Sequence, residues 1–144
     1  MRTWDRMLSE RISARSADGF LNVRQVRAFV RLLVAGTGSL PGVAMWADLD
    51  EVDLLVAEVV TNACRHSASG HAGGGVRLSA FWASDRLRIE VQDDGGASSA
   101  PALSAASAMD ESGRGLLILD ALADRWGHEN SADHQCTVWF EVAR

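Results

Sequence analysis

Apolar residues recur three or four positions apart in several stretches of this chain. This spacing predicts two long amphipathic helices, from about Leu21 to Ala35 and from about Leu49 to Ser67. A third, shorter helix is predicted from about Arg114 to Asp124. Each helix would bury one apolar side against a common core.

Strict alternation of apolar and polar residues predicts strands elsewhere. It is found at Leu87–Gln92, and Val138, Phe140 and Val142 alternate in a final strand. Val76–Ala83 is predicted as the strand before Leu87–Gln92. Ser84-Asp85 suits a tight hairpin turn between the first two of these strands. The order of elements predicts an α+β fold, a two-layer sandwich with a mostly antiparallel sheet and helices on one face.

The chain of 144 residues fits one domain. We expect residues 1–18 to form an N-terminal arm or edge strand and residues 19–144 to form a single domain. A loop of small residues from about Asp94 to Ser112 is longer than a connection needs, which indicates a functional loop.

Charge and composition narrow the classes of function. A net charge of -5 argues against nucleic acid as the main partner, because binding phosphates would need a basic face. No apolar run approaches a membrane span, so we expect a soluble, cytoplasmic protein without a membrane partner. All 14 basic residues are Arg, which excludes a P-loop lysine and a Schiff-base lysine.

The second predicted helix carries Glu58, Asn62 and His66 close to its apolar side. Glu58 could act as a general base, and the Asn62 side-chain oxygen could ligate a hard cation such as Mg²⁺. The alternative is that Glu58 is a solvated flanking residue and that His66 ends the helix. This motif alone does not decide between the two.

Two further motifs follow along the chain. Asp93 and Gly95 come directly after a strand, where a carboxylate can accept a hydrogen bond from an exocyclic amine and a glycine lets a flat ring approach the backbone. The alternative is an ordinary Asp-Gly turn. Gly113 and Gly115 open the third helix, whose free N–H groups can face an anion, although Ser112 could simply cap that helix.

Together these motifs resemble the GHKL ATPase superfamily. Glu58, Asn62, Ala63 and His66 are similar to its N box, Asp93 and Gly95 to its G1 box, and Gly113-Arg114-Gly115-Leu116 to its G2 box. Within the superfamily, residues 21 to 142 look like the anti-sigma-factor serine kinases of the RsbW and SpoIIAB type, especially actinobacterial members.

The resemblance implies ATP and Mg²⁺ as cofactors, in a Bergerat-type fold. Glu58 would orient or deprotonate the attacking hydroxyl, Asn62 would ligate Mg²⁺, and Asp93 would select adenine. Gly113, Arg114, Gly115 and Leu116 would line the triphosphate, and the loop from Gly96 to Glu111 would close over it. His66 would orient the lid or phosphates, or else be structural.

The chain departs from the family pattern near its last strand. Where relatives commonly carry Gly followed by Lys or Thr, this chain has His134-Gln135-Cys136-Thr137, so Thr137 alone is expected to contact the nucleotide. A second departure is Ala97, where G1 patterns often have Gly.

The resemblance implies an anti-sigma factor with serine/threonine kinase activity. Its partners would be a sigma factor and a STAS-domain antagonist, and the protein would form a homodimer. The alternative is a catalytically lapsed regulatory module that binds ATP or acts without it.

Overall fold

A computed structural model of the protein describes residues 4–13, 23–35, 48–66, 74–95, 111–131 and 135–143. Side chains are described at these positions except 6, 33–35, 64–66 and 111–116. The elements in chain order are β1 (Arg6–Ser13), α1 (Val23–Ala35), α2 (Leu49–His66), β2 (Gly75–Trp82), β3 (Arg86–Gln92), α3 (Glu111–Leu122), β4 (Arg125–Asn130) and β5 (Cys136–Ala143).

The strands form one antiparallel sheet in the order β1-β2-β3-β5-β4. Helices pack on this sheet, so the predicted α+β sandwich is confirmed. The hairpin between β2 and β3 is also confirmed, because the Ala83 N–H donates to the Arg86 carbonyl at 3.0 Å and leaves Ser84-Asp85 as the turn. β1 lies at one edge and pairs with β2 along its whole length, from Arg6 opposite Trp82 to Ser13 opposite Gly75.

The two faces of the sheet differ sharply. On the core face, alternate strand residues pack against the helices and are almost fully buried; they include Leu78, Leu87, Ile89, Val91, Cys136, Val138 and Phe140. The intervening residues form the outer face, which includes Arg77, Arg88, Glu90, Gln92, Thr137, Trp139 and Glu141. The alternation predicted for β3 is therefore confirmed.

Among the side chains that the structure describes, α2 supplies the largest helical share of the core, through Val52, Leu55, Val56, Val59 and Val60. Its start is fixed by Asp48, because Oδ1 of this carboxylate accepts hydrogen bonds from the N–H groups of Asp50 and Glu51 at 3.0 and 3.2 Å. In the described part of the chain, no helix combines the length and apolar character needed to cross a membrane.

The sequence did not predict β4. Its residues Arg125–Asn130 lie at the second edge of the sheet and are largely exposed, so no alternation marks them. Helix α3 begins at Glu111, three residues before the predicted start at Arg114, and ends at Leu122. Backbone pairing with β5, which only the tertiary structure provides, makes β4 a strand.

Candidate functional site

The core face contains a small cleft between α2 and the ends of β3 and β5. It is lined by Val59, Asn62, Ala63, Val91, Asp93, Cys136 and Val138. Five of these seven side chains are apolar or weakly polar, and the amide and the carboxylate are the exceptions. A flat, largely apolar ring with one polar edge suits such a lining.

Asn62 reaches the cleft from the last turns of α2. The apolar positions before it hold the helix on the sheet, and four residues earlier Glu58 lies on the same side of the helix. The Oδ1 atom of Asn62 is buried and has no hydrogen-bond partner among the described residues. Because a buried amide oxygen without a partner is costly, this atom is the part of the cleft that most needs a ligand.

Asp93 closes the opposite side of the cleft, directly after β3. Its side chain is buried, and the residue is only 8% exposed. Oδ1 accepts two hydrogen bonds, from the Gly95 N–H at 2.8 Å and the Cys136 N–H at 2.9 Å. No hydrogen bond to Oδ2 is found within the described residues, so that oxygen can accept from a ligand.

Gly95 is required by the conformation of the turn. Its φ is 76°, a left-handed backbone that a residue with a Cβ adopts only under strain. This conformation brings the Gly95 N–H back onto Asp93 and keeps side-chain atoms away from the approach to the carboxylate. Gly95 thus shapes the turn, in addition to its expected role of letting a flat ring approach the backbone.

Cys136 joins β5 to this turn, a role that the sequence did not predict. Besides its donation to Asp93 Oδ1, the Cys136 carbonyl accepts from the Asp93 N–H at 2.9 Å. Burial, and secondarily the charge of Asp93, raises the pKa of the Cys136 thiol to about 11. The thiol is therefore neutral near pH 7 and acts as a small wall of the cleft, not as a nucleophile.

Asp94 turns away from the cleft, although it adjoins Asp93. Its carboxylate forms a two-point ion pair with Arg11 of β1, at 2.8 and 3.0 Å, and accepts from the Gly75 N–H at 2.9 Å. The hydrogen bond from Arg11 holds the pKa of Asp94 below its usual range. The two carboxylates of this turn therefore face different environments, and Asp93 is the one in the cleft.

A divalent cation fits the donor set that α2 presents. The unpartnered Asn62 Oδ1 is a hard oxygen donor of the kind that Mg²⁺ prefers, and Mg²⁺ commonly takes one or two protein ligands with phosphate oxygens completing its shell. Glu58 is half-buried one turn earlier, outside the described lining of the cleft.

The structure does not bring Thr137 together with these residues. Thr137 lies on the outer face of β5, opposite Gln92 and Glu129, whereas its neighbours Cys136 and Val138 line the cleft. The remaining expected contacts lie partly outside the described structure. The backbones of His66, Gly113, Arg114, Gly115 and Leu116 are helical, but their side chains are not described, and neither are residues 96–110 of the expected lid.

Two comparisons with known proteins bear on this site. Residues 21–141 match a family model described as the histidine kinase-like ATPase domain. A segment of 45 residues is 47% identical to part of "Blue-light-activated histidine kinase 2" from Erythrobacter litoralis (strain HTCC2594). That segment makes up 31% of the chain and 13% of the relative. The family match includes the cleft and leaves out β1.

Proposed function

The chain belongs to the histidine kinase-like ATPase family, and from this premise we propose that its cleft binds ATP together with Mg²⁺. One observation carries the proposal: a buried, unpartnered amide oxygen of Asn62 and a buried carboxylate of Asp93 line the same apolar cleft. Together with the family match, this arrangement supports a single site for the proposed ring and metal contacts.

The adenine ring would lie against the apolar wall of the cleft. Asp93 would accept a hydrogen bond from the exocyclic amine through Oδ2, since Oδ1 is already held by two backbone N–H groups. A guanine ring presents a carbonyl at the corresponding position, which would face the carboxylate unfavourably. The proposal therefore includes selection of adenine over guanine.

The phosphates would extend toward α2 and the start of α3. Asn62 would hold Mg²⁺ through Oδ1, and the bound ion would neutralise charge on the phosphates. Gly113 and Arg114 lie among the first four residues of α3, whose backbone N–H groups have no partner within the helix. Gly115 and Leu116 follow in the next turn, and we include all four in the phosphate end of the proposed site.

Titration calorimetry with ATP, with and without Mg²⁺, tests this binding. Wild-type protein should bind ATP more tightly with Mg²⁺, and Asn62→Ala should lose the Mg²⁺-dependent part of the affinity. Thr137→Val is the matched control, because its side chain lies on the outer face, and it should bind as wild type does. Equal ATP affinity with and without Mg²⁺ in the wild type would contradict the assignment of Asn62.

For the reaction, we propose transfer of the γ-phosphoryl group to a serine or threonine hydroxyl of a STAS-domain anti-sigma antagonist. The bond from the γ-phosphorus to the ADP oxygen breaks, a bond to the hydroxyl oxygen forms, and the hydroxyl proton passes to the Glu58 carboxylate. In this proposal the protein also binds a sigma factor as an anti-sigma factor and forms a homodimer. The position of Glu58, one turn from Asn62, supports the assignment of the base.

Phosphate transfer can be measured with labelled ATP and a purified STAS-domain partner. Glu58→Gln should abolish transfer while leaving ATP affinity nearly unchanged, because Glu58 is not part of the described cleft lining. A wild-type protein that binds ATP but labels no such partner would rule out the kinase and leave the binding proposal standing.

A second candidate is a catalytically lapsed regulatory module. It is favoured by the last strand, where Thr137 faces away from the cleft and the inert Cys136 thiol lines it. This candidate expects a partner to bind equally well to wild type and to Asn62→Ala. Loss of partner binding in that variant would exclude a module that acts without the nucleotide.

A further inference from the structure

The ion pair between Arg11 and Asp94 connects the first strand of the sheet to the turn that carries Asp93 and Gly95. The two residues are 83 positions apart in sequence, and both guanidinium nitrogens engage the carboxylate, at 2.8 and 3.0 Å. Two-point contacts of this kind fix orientation as well as distance, because the planar guanidinium matches both carboxylate oxygens. The side chains are 48% and 21% exposed, so the pair is expected to contribute more to geometry than to overall stability.

Gly75 completes the connection from the first residue of β2. Its N–H donates to Asp94 Oδ2 at 2.9 Å. A Cβ at this position would lie 2.5 Å from the Ile12 carbonyl oxygen and 3.1 Å from an Arg11 guanidinium nitrogen. The absence of a side chain at Gly75 thus lets β1 approach closely enough for Arg11 to reach Asp94.

The same three-residue turn is held on its other side by the cleft. Asp93 is fixed by the N–H groups of Gly95 and Cys136, and Asp94 lies between Asp93 and Gly95 in the chain. Any rotation of the backbone at Asp94 would therefore displace the Asp93 carboxylate or break the Gly95 hydrogen bond. An anchor on Asp94 restricts this rotation from outside the cleft.

We propose that Arg11 and Asp94 are positioning residues for the nucleotide site, so that β1, which lies outside the family match, is a functional part of that site. The inference rests on the proposed function, since the positioned group is the carboxylate assigned to adenine. In agreement, the hydrogen bond and charge of Asp94 raise the pKa of Arg11, and Arg11 lowers that of Asp94.

Backbone amide exchange in the nucleotide-free protein tests the positioning directly. In Asp94→Asn, the Gly95 and Cys136 amides should exchange roughly tenfold faster than in wild type, because the turn that holds Asp93 is released. Arg11→Gln should act in the same direction. Because it retains the Gly75 contact to Asp94, it provides a second test if the asparagine variant folds poorly. The matched control is Glu90→Gln, which removes the charge that pairs with Arg88 on the same sheet and leaves the turn untouched.

Calorimetric ATP titration of the same variants tests whether the positioning of the turn affects ATP affinity. Asp94→Asn and Arg11→Gln should each weaken ATP binding roughly tenfold, and the double variant should weaken it no further than Asp94→Asn does. Glu90→Gln should leave the affinity unchanged. A purely structural ion pair would instead lower the melting temperature and leave both amide exchange at the turn and ATP affinity as in wild type.

The possible outcomes separate the two proposals. Unchanged exchange at Gly95 and Cys136 in both variants would overturn the positioning role, whatever ATP does. If exchange is faster in the variants but the wild-type protein does not bind ATP, the positioning of Asp93 is supported and the proposed function is overturned. Equal effects of Glu90→Gln and Asp94→Asn on amide exchange would also overturn the positioning role, because they would show a general response of the sheet.

Discussion

The outer face of the sheet and the cleft on its core face are both built on β3 and β5, but they differ in how far their polar groups find hydrogen-bond partners within the protein. On the outer face, Arg88 donates to Glu90 at 2.8 Å and to Glu141 at 3.1 Å, and its guanidinium stacks over the Trp139 ring at 4.1 Å. In the cleft, Asn62 Oδ1 is buried without a partner, and hydrogen bonds within the described residues reach only one oxygen of Asp93.

The difference separates charged groups that are paired within the protein from the groups that the proposed function assigns to a ligand. A buried polar atom normally finds a partner within the protein, and exceptions concentrate at functional sites. On the outer face, Arg88 pairs with both Glu90 and Glu141, so these charged groups already have partners within the protein. Asn62 and Asp93 are rigidly placed by a helix and a turn, yet each leaves an oxygen available.

The largest effect should come from the core between the sheet and the helices. Phe140 is fully buried on the core face, so Phe140→Ala should lower the free energy of unfolding by about 3–5 kcal/mol through lost packing and the cavity left behind. Thr137→Val, on the outer face of the same strand, should change it by less than about 0.5 kcal/mol. Urea unfolding measures both, and similar losses would show that the two faces are not packed differently.

The next largest effect concerns Asp93. In Asp93→Asn the amide oxygen can still accept from Gly95 and Cys136, but the second atom becomes a donor and would face the adenine amine. ATP affinity should fall roughly a hundredfold, the effect of one mismatched buried polar contact. Calorimetry measures the affinity, and a melting temperature close to that of wild type would confirm that the turn is intact. An unchanged affinity would remove Asp93 from the site.

Glu141→Gln should have the reverse pattern, with an effect on stability alone. The side chain of Glu141 is only 6% exposed and accepts from Arg88, so weakening this contact should cost about 1–3 kcal/mol of unfolding free energy. Arg88 keeps Glu90 as a partner, which limits the loss. ATP affinity should stay at the wild-type value. A large loss of affinity would mean that the outer face takes part in binding.

The smallest expected effect is a dependence of stability on pH through Asp94. Its pKa is lower in the folded protein than the ordinary 3.8, so the stabilisation is present above that ordinary value and is lost as pH falls through the lower, folded one. The stability difference between wild type and Asp94→Asn should therefore be constant near neutral pH and shrink below about pH 4. Urea midpoints from pH 7 to pH 3 measure it, and a difference that grows on acidification would contradict the ion pair.

Local pattern was sufficient for most of the fold. The helical spacing predicts α1 and α2, the alternation in β3 predicts which side chains are buried, and Ser84-Asp85 predicts the hairpin turn. These features depend on side-chain periodicity, which is written directly in the sequence. The pattern could not predict β4, because an exposed edge strand has no buried side and therefore no alternation.

For the site, the sequence by itself determined which chemical groups were available, and Asn62, Asp93 and Gly95 are the ones that the cleft and its turn contain. Only the tertiary structure decided the face on which each group lies. A change of one position along a strand moves a side chain to the opposite face, so Cys136 lines the cleft while Thr137 does not. The tertiary structure also decided that Asp94 pairs with Arg11, since a contact across 83 positions depends on strand register and has no local sequence pattern.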